Sequence, residues 1–129
     1  MKIEHIAIWT MDLEKSRDFY TQYFGAKSGE KYENKAKGFS SYFLSFEDGC
    51  RLEIMNMAKS RRQEKAVTEI HRGISHFAMS VGDKQTVDRL TETLRGKDAV
   101  IISEPRKTGD GYYESVVLDP DGNRIEITE

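Results

Sequence analysis

Ile3-Glu4-His5-Ile6-Ala7, close to the start of the chain, is echoed by Ile74-Ser75-His76-Phe77-Ala78. Asp48-Gly49-Cys50-Arg51-Leu52-Glu53-Ile54 is echoed in turn by Asp121-Gly122-Asn123-Arg124-Ile125-Glu126-Ile127. Each half therefore opens on a histidine and closes on a glutamate, at nearly equal spacing. Internal repetition has to be weighed before any local motif, because it sets the architecture. Here it predicts two copies of one supersecondary unit.

Working outward from the first repeat, Ile3 to Trp9 reads as a strand, short, apolar-rich and bounded by Thr10-Met11-Asp12. Asp12 is a natural N-cap for a helix over Leu13 to Phe24. Leu13, Phe19, Tyr20, Tyr23 and Phe24 fall at helical spacing there, with Gly25 as the stop. Ala26 to Tyr32 is a weaker strand. Phe39 to Phe46 and Arg51 to Met57 form a hairpin through Glu47-Asp48-Gly49. The polar run Ala58 to Arg72, with Lys59, Arg61, Arg62, Glu64 and Lys65, reads as a solvated connector, since acids are interleaved and no aromatics accompany the cations.

The second half repeats the order. Ile74 to Val81 is a strand, Asp83 to Arg95 a helix ended by Gly96, and Ala99 to Ser103 a strand with Pro105 past its end. Tyr113 to Leu118 and Arg124 to Thr128 close the unit as a hairpin across Asp119-Pro120-Asp121-Gly122. The expected fold is α+β: tandem βαβββ units, residues 1–57 and 73–129, joined by a linker over 58–72. Together they would make a single domain shaped as a curved eight-stranded half-barrel or cup.

Strand parity decides which side the repeated polar residues take, because side chains alternate faces. Ile6 and Ile8 lie under the helix, so His5, Ala7 and Trp9 take the opposite face. Phe77, Met79 and Val81 lie under the second helix, which leaves His76 on the opposite face. Leu52 and Ile54 pack inward and leave Arg51, Glu53 and Met55 outward. Ile125 and Ile127 do the same for Arg124, Glu126 and Thr128. Any one of these polar residues alone reads most simply as a solvated or hydrogen-bonded strand residue. The duplication outweighs that reading. Two imidazoles and two carboxylates on matching faces make four ligands of suitable type for one divalent cation, which would satisfy charges that are costly to desolvate unpaired. His71 has no counterpart in the first half and reads as loop.

The whole composition sets bounds on function. The 129 residues are 33% charged and 37% hydrophobic, as in ordinary globular proteins. A net charge of −2 offers no polycation for nucleic acid or an anionic membrane surface. No apolar run is long enough to span a bilayer. The opening Met-Lys-Ile-Glu-His is too polar for a signal peptide. The lone Cys50 excludes an intrachain disulfide framework and predicts a cytoplasmic protein. It reads as a small residue at a strand entrance rather than a nucleophile.

The stretches His5-Ile6-Ala7-Ile8, Asp12-Leu13-Glu14-Lys15-Ser16, Phe19-Tyr20 and Phe24-Gly25 resemble the first strand and helix of the vicinal oxygen chelate superfamily. That superfamily takes in the glyoxalases, bleomycin-resistance proteins and extradiol dioxygenases. The close, Leu118-Asp119-Pro120-Asp121-Gly122-Asn123-Arg124-Ile125-Glu126, resembles its last hairpin. The resemblance covers essentially the whole chain. It implies a metal site of His5, Glu53, His76 and Glu126, the His-Glu-His-Glu set that glyoxalase I enzymes present. Methylmalonyl-CoA epimerase, with glutamine at the position of Glu53, is the nearest competitor. Two positions depart from glyoxalase I: Trp9 stands where that family commonly has an arginine for glutathione, and Met57 where it has an asparagine. Asn56 is one residue early and on the wrong face.

What the resemblance implies is a small-molecule enzyme that isomerises an α-ketoaldehyde–thiol adduct, or a similar substrate with adjacent oxygens, through a metal-stabilised enediolate. The metal would be nickel or zinc ahead of cobalt, manganese or iron. Glu126 would be the base, with Glu53 its partner on the other side. Trp9 and Met55 could line an apolar wall, and Arg51 or Arg124 could meet a substrate carboxylate. Open sheets with uncovered edges imply a homodimer. A non-catalytic metal- or ligand-binding protein on the same scaffold is the alternative from another class.

Overall fold

The computed structural model describes residues 1–59 and 73–129. The chain divides into two compact units, Met1–Glu64 and Lys65–Glu129. Of the expected connector, only Ala58 and Lys59 are described, in a turn. Arg61, Arg62, Glu64, Lys65 and His71 lie outside the described residues.

In the first unit the order is β1 (His5–Trp9), α1 (Leu13–Phe24), β2 (Lys27–Ser28), β3 (Tyr32–Asn34), β4 (Phe39–Ser45) and β5 (Arg51–Met57). The sheet runs β1-β5-β4-β2, with β3 also on β4. The first strand thus lies against the last. β1 and β5 are parallel, with Ala7 opposite Glu53 and Trp9 opposite Met55. Parallel neighbours need a crossover, which α1 supplies. Its inward face, Leu13, Phe19 and Tyr20, is buried with Tyr42, Leu44, Leu52 and Ile54 from the strands. Asp12 caps the helix by accepting from the Lys15 amide at 3.0 Å.

The second unit contains β6 (Phe77–Ser80), α2 (Lys84–Arg95), β7 (Ile101–Lys107), β8 (Tyr113–Leu118) and β9 (Arg124–Thr128), with sheet order β6-β9-β8-β7. First again meets last: β6 and β9 are parallel, with Ala78 opposite Glu126. Val87 and Leu94 of α2 are fully buried, as are Val117, Ile125 and Ile127. Asp83 caps this helix through the Thr86 amide at 2.7 Å. Two mixed sheets, each with one helix across it, make the α+β fold that the repeats predict.

Three local expectations are corrected. The described residues contain nine strands rather than eight, because the segment expected over Ala26 to Tyr32 breaks in two. Ser28 pairs with Leu44 and Tyr32 with Ser41, so both Glu30 and Lys31 face Tyr42 where one residue would fit, a β-bulge. Pro105 lies inside β7 rather than past it. It is tolerated because β7 is an edge strand whose register shifts on either side of Ser103, so its missing N–H costs little. The two opening strands start later than expected, at His5 and Phe77. Gly96 ends α2 as expected, but in a different conformation from Gly25 at the end of α1. Gly25 takes the left-handed conformation (φ 65°), whereas Gly96 stays right-handed (φ −65°) and Asp98 adopts the positive φ of 61°.

The two glycines should therefore respond oppositely to a methyl group. Gly25→Ala forces a Cβ into the left-handed region and should lower stability by about 1–2 kcal/mol, read from the midpoint of urea unfolding. Gly96→Ala should be neutral or slightly stabilising, since an alanine there meets only ordinary contacts at 3.5 Å. An equal loss at both positions would contradict this account of the helix ends.

Candidate functional site

Parallel pairing of first and last strands carries each histidine to its glutamate. In the first unit His5 lies opposite Arg51, two positions before the Ala7–Glu53 pair on the same face. Its Nε2 lies 3.9 Å from Glu53 Oε2. In the second unit His76 immediately precedes β6, and its Nε2 lies 3.3 Å from Glu126 Oε2. Both carboxylates are largely buried, while both imidazoles are about two-fifths exposed. Two donors bound at right angles to one ion, each at about 2.1 Å, lie roughly 3.0 Å apart. The second pair is near that spacing, and the first needs to close by somewhat less than 1 Å. Two nitrogens and two carboxylates are also a charge-neutral set for a divalent ion, so the donor chemistry fits. Among the described residues no group of three or more His, Cys, Asp or Glu side chains comes together to hold a metal; the candidate ligands are two pairs, one on each unit.

The residue before each histidine has a role that the repeat alone did not disclose. His5 Nδ1 lies 2.5 Å from Glu4 Oε2. Hydrogen bonds from His5 and then Arg51 hold the Glu4 carboxyl below its ordinary range, so it accepts and His5 Nδ1 donates. Nε2 of a neutral imidazole then keeps its lone pair toward Glu53, the arrangement common behind metal-binding histidines. Ser75 is the counterpart of Glu4, and its Oγ lies 3.4 Å from His76 Nδ1, a longer contact. Adjacency to the ligand was the available signal for Glu4.

Glu114 was also missed. It pairs with Thr128 in register while Val116 pairs with Glu126, so Glu114 shares the Glu126 face. Carrying strand alternation along Tyr113 to Leu118 would have found it. Arg106 Nη1 approaches Glu114 Oε1 at 3.2 Å. Burial first, then the neighbouring Glu114 carboxylate, push the Glu126 carboxyl above its ordinary range, and His76 opposes them. Thr128 Oγ1, on this same face, is buried with no hydrogen-bond partner among the described residues. At the corresponding place in the first unit are Ser41 and Met55, so the two repeats differ around their glutamates.

The expected substrate residues are placed as follows. Trp9 and Met55 are register partners on the Glu53 face. Arg51 donates to Glu4 through Nε at 2.8 Å and Nη2 at 2.5 Å, and its guanidinium lies 4.1 Å from the centre of the Phe43 ring. It would have to leave Glu4 to bind a substrate anion. Arg124 is opposite Leu118 on the Glu126 face. Cys50 is a free thiol at the entrance to β5. No described helix is long and apolar enough to cross a membrane.

With these positions in hand, likeness to known proteins can be read. The sequence profile of the Glyoxalase/Bleomycin resistance protein/Dioxygenase superfamily matches residues 2–127. The chain belongs to that superfamily. It is 30% identical over 128 residues to the lactoylglutathione lyase GLX1 of Arabidopsis thaliana, a match covering 97% of this chain and 43% of that protein. It is 27% identical over 133 residues to the mitochondrial methylmalonyl-CoA epimerase of Dictyostelium discoideum, covering 99% of this chain and 78% of the other. The crystal structure of glyoxalase I from Zea mays matches with a TM-score of 0.80 at 24% identity, over 98% of this chain and 44% of that one. This last likeness speaks for the fold alone. The chain spans less than half the length of these plant relatives.

Asn56, on the opposite face from Glu53, donates from Nδ2 to the carbonyls of Thr10 (2.8 Å) and Met11 (3.1 Å), and so fastens the turn between β1 and α1. Asn56→Ala should cost about 1–3 kcal/mol, since the hydrogen bonds from its side chain to the Thr10 and Met11 carbonyls are lost. Zinc or nickel affinity, measured by calorimetry on the folded variant, should stay within about threefold of the parent, because this side chain positions the turn and not the ligands. A large loss of metal affinity at unchanged stability would overturn that assignment.

Proposed function

We infer that the chain is a divalent-metal-dependent enzyme of glyoxalase I type, acting on a small molecule with adjacent oxygens such as an α-ketoaldehyde–thiol adduct. The observation that carries the reading is the duplicated His–Glu pair, brought together once in each unit at 3.9 and 3.3 Å. His5, Glu53, His76 and Glu126 would together hold one ion, nickel or zinc ahead of cobalt, manganese or iron. The four donors could come from one chain or from two copies in a homodimer. When bound, the metal would polarise the substrate's neighbouring oxygens and lower the cost of charge developing on them.

The chain's own residues then have definite tasks. Glu4 and Ser75 orient the imidazoles. Glu126 takes the proton from the carbon bearing the hydroxyl and returns it to the adjacent carbonyl carbon, while the hydroxyl proton passes to the former carbonyl oxygen, so that one C–H and one O–H bond break and one of each forms without net oxidation. Glu53 stands in the equivalent place on the other repeat and serves as its partner in that transfer. The assignment of the base to Glu126 rests on its position in the last hairpin and on the polar surroundings of Glu114, Arg106 and Thr128. Around Glu53, by contrast, the neighbours are Ala7, Phe43 and Met55. An epimerase acting on a thioester would begin with the same proton abstraction but return the proton to the opposite face of the same carbon, and the likeness to methylmalonyl-CoA epimerase keeps that reading as the second. Glu53, where the epimerases resembled carry glutamine, favours the first.

Two variants separate ligand from base. Glu126→Gln should keep much of the metal, because an amide oxygen can still coordinate, while turnover of a methylglyoxal–thiol adduct falls by about 10²–10⁴. His76→Ala should lose metal and turnover together. Bound metal by elemental analysis and turnover in the same preparations give the test. Normal turnover by a metal-loaded Glu126→Gln protein would place the base elsewhere. Parent protein that binds metal tightly but turns over neither adduct nor thioester would instead leave the binding-protein reading standing.

A further inference from the structure

One transverse row of the second sheet lies just beyond Glu126 and is polar from end to end. Ser80 pairs with Thr128, Thr128 with Glu114 and Glu114 with Arg106, so the four share a face. It is the face away from α2, because the neighbouring Ser115 hydroxyl meets Thr91 of that helix at 2.7 Å. The matching row of the first unit is Trp9, Met55, Ser41 and Tyr32, paired in the same order. The fold therefore accepts large apolar side chains in this row, and the polar set of the second unit is not required to build the sheet. Two of its members are buried. Thr128 is 9% exposed, and its Oγ1 has no hydrogen-bond partner among the described residues. The Glu114 side chain is 12% exposed, with Arg106 Nη1 at 3.2 Å from its Oε1. Ser80 is exposed at the end of β6. A buried hydroxyl left without a partner is costly, and beside a candidate site it marks a place where a ligand atom completes the bonding.

We propose that this row receives a primary ammonium group of the substrate whose adjacent oxygens are held beside His76 and Glu126. The inference rests on the metal-site reading of that pair. The Glu114 carboxylate, Thr128 Oγ1 and Ser80 Oγ offer three acceptors, and an ammonium has three N–H donors. Charge selects a cation over a neutral or anionic group. After burial, it is Glu114 and, more weakly, Asp110 that push the Glu126 carboxyl up, so both carboxylates lie close by. With Glu126 given to the metal, Glu114 and Asp110 outnumber Arg106, and a substrate carboxylate would be repelled. A charge-assisted bond to a largely buried carboxylate is also the stronger kind. Spacing sets the length of the substrate. Thr128 lies two residues beyond Glu126, about 7 Å, which a chain of three or four carbons spans. Glu114 and Thr128 are thus specificity-determining residues, selecting the ammonium while the ligands select the oxygens.

Three hydroxamates share one pair of adjacent oxygens and differ only at the far end: 4-aminobutanohydroxamate carries an ammonium, pentanohydroxamate a methyl and glutaric monohydroxamate a carboxylate. Each is titrated calorimetrically into zinc-loaded and metal-free parent protein, Glu114→Gln and Thr128→Val. The zinc-loaded parent should bind the ammonium probe at least about tenfold more tightly than the methyl probe, and the carboxylate probe more weakly than either. In Glu114→Gln the ammonium preference should fall to about twofold or less, and in Thr128→Val by about threefold, with zinc content and affinity for the methyl probe unchanged. Thr128→Val should also unfold in urea at the same midpoint or a higher one, because a methyl group replaces a hydroxyl that bonds to nothing in the free protein. A lower midpoint would show that the hydroxyl serves the fold and would count against the subsite. Equal affinities for the ammonium and methyl probes in the parent, or tightest binding of the carboxylate probe, would overturn the proposal while leaving the metal site intact. Zinc-independent binding of all three would overturn the metal reading instead. The metal-free titrations then decide the row by themselves: an ammonium preference that Glu114→Gln removes upholds it, and no preference refutes it.

Discussion

Everything in each unit depends on the hydrogen-bonded parallel pairing of its first strand with its last. Without a crossover helix that pairing could not form, and without it His5 and Glu53, or His76 and Glu126, would lie on distant parts of the chain. The register is constrained by burial. Leu52 and Ile54 must face α1, as Ile125 and Ile127 must face α2, so a slip of one residue would turn each glutamate under its helix and each isoleucine out to solvent. The polar face is thus specified by the apolar one. The hairpin turns reinforce this: Asp119 accepts from the amides of Asp121 and Asn123 and from the Asn123 side chain, which delivers β9 to its place beside β6.

The two repeats keep the same frame and diverge in what surrounds the glutamate. On the first, aromatic and sulfur-containing side chains gather near Glu53, and the nearby arginine is neutralised by Glu4. On the second, Glu114, Arg106 and an unpartnered Thr128 hydroxyl gather near Glu126. On the proposed reading one divalent ion would need all four donors, which would account for their presence in both repeats while the flanking positions differ.

Much of this was legible in the residues themselves. The sequence located both helices, the Asp12 cap, both hairpins, and the faces on which His5, Glu53, His76 and Glu126 lie, because burial periodicity is local and read one strand at a time. What escaped depends on pairing across strands. The bulge at Glu30 and Lys31 exists only relative to Tyr42 on β4, so the expected single strand became two. Pro105 looked like a strand stop because nothing local says that β7 is an edge. Asp98, rather than Gly96, takes the left-handed conformation, since the chain continues a turn beyond the helix before reversing. Glu114 and Glu4 went unnoticed because the repeat holds no matching acid, Ser41 and Ser75 standing in their places.

The proposed function requires the two His–Glu pairs to hold one metal ion, whether they come from one chain or from two copies. Calorimetric titration of metal-free protein with zinc, with the bound ion counted by elemental analysis, tests it most directly when parent, His5→Ala and Glu53→Gln are compared. The account predicts one ion per chain in the parent. His5→Ala should weaken binding of that one ion by about a hundredfold or more, roughly 3 kcal/mol. Two ions per chain, with His5→Ala losing one and leaving the second untouched, would show that each His–Glu pair binds alone and would contradict the account.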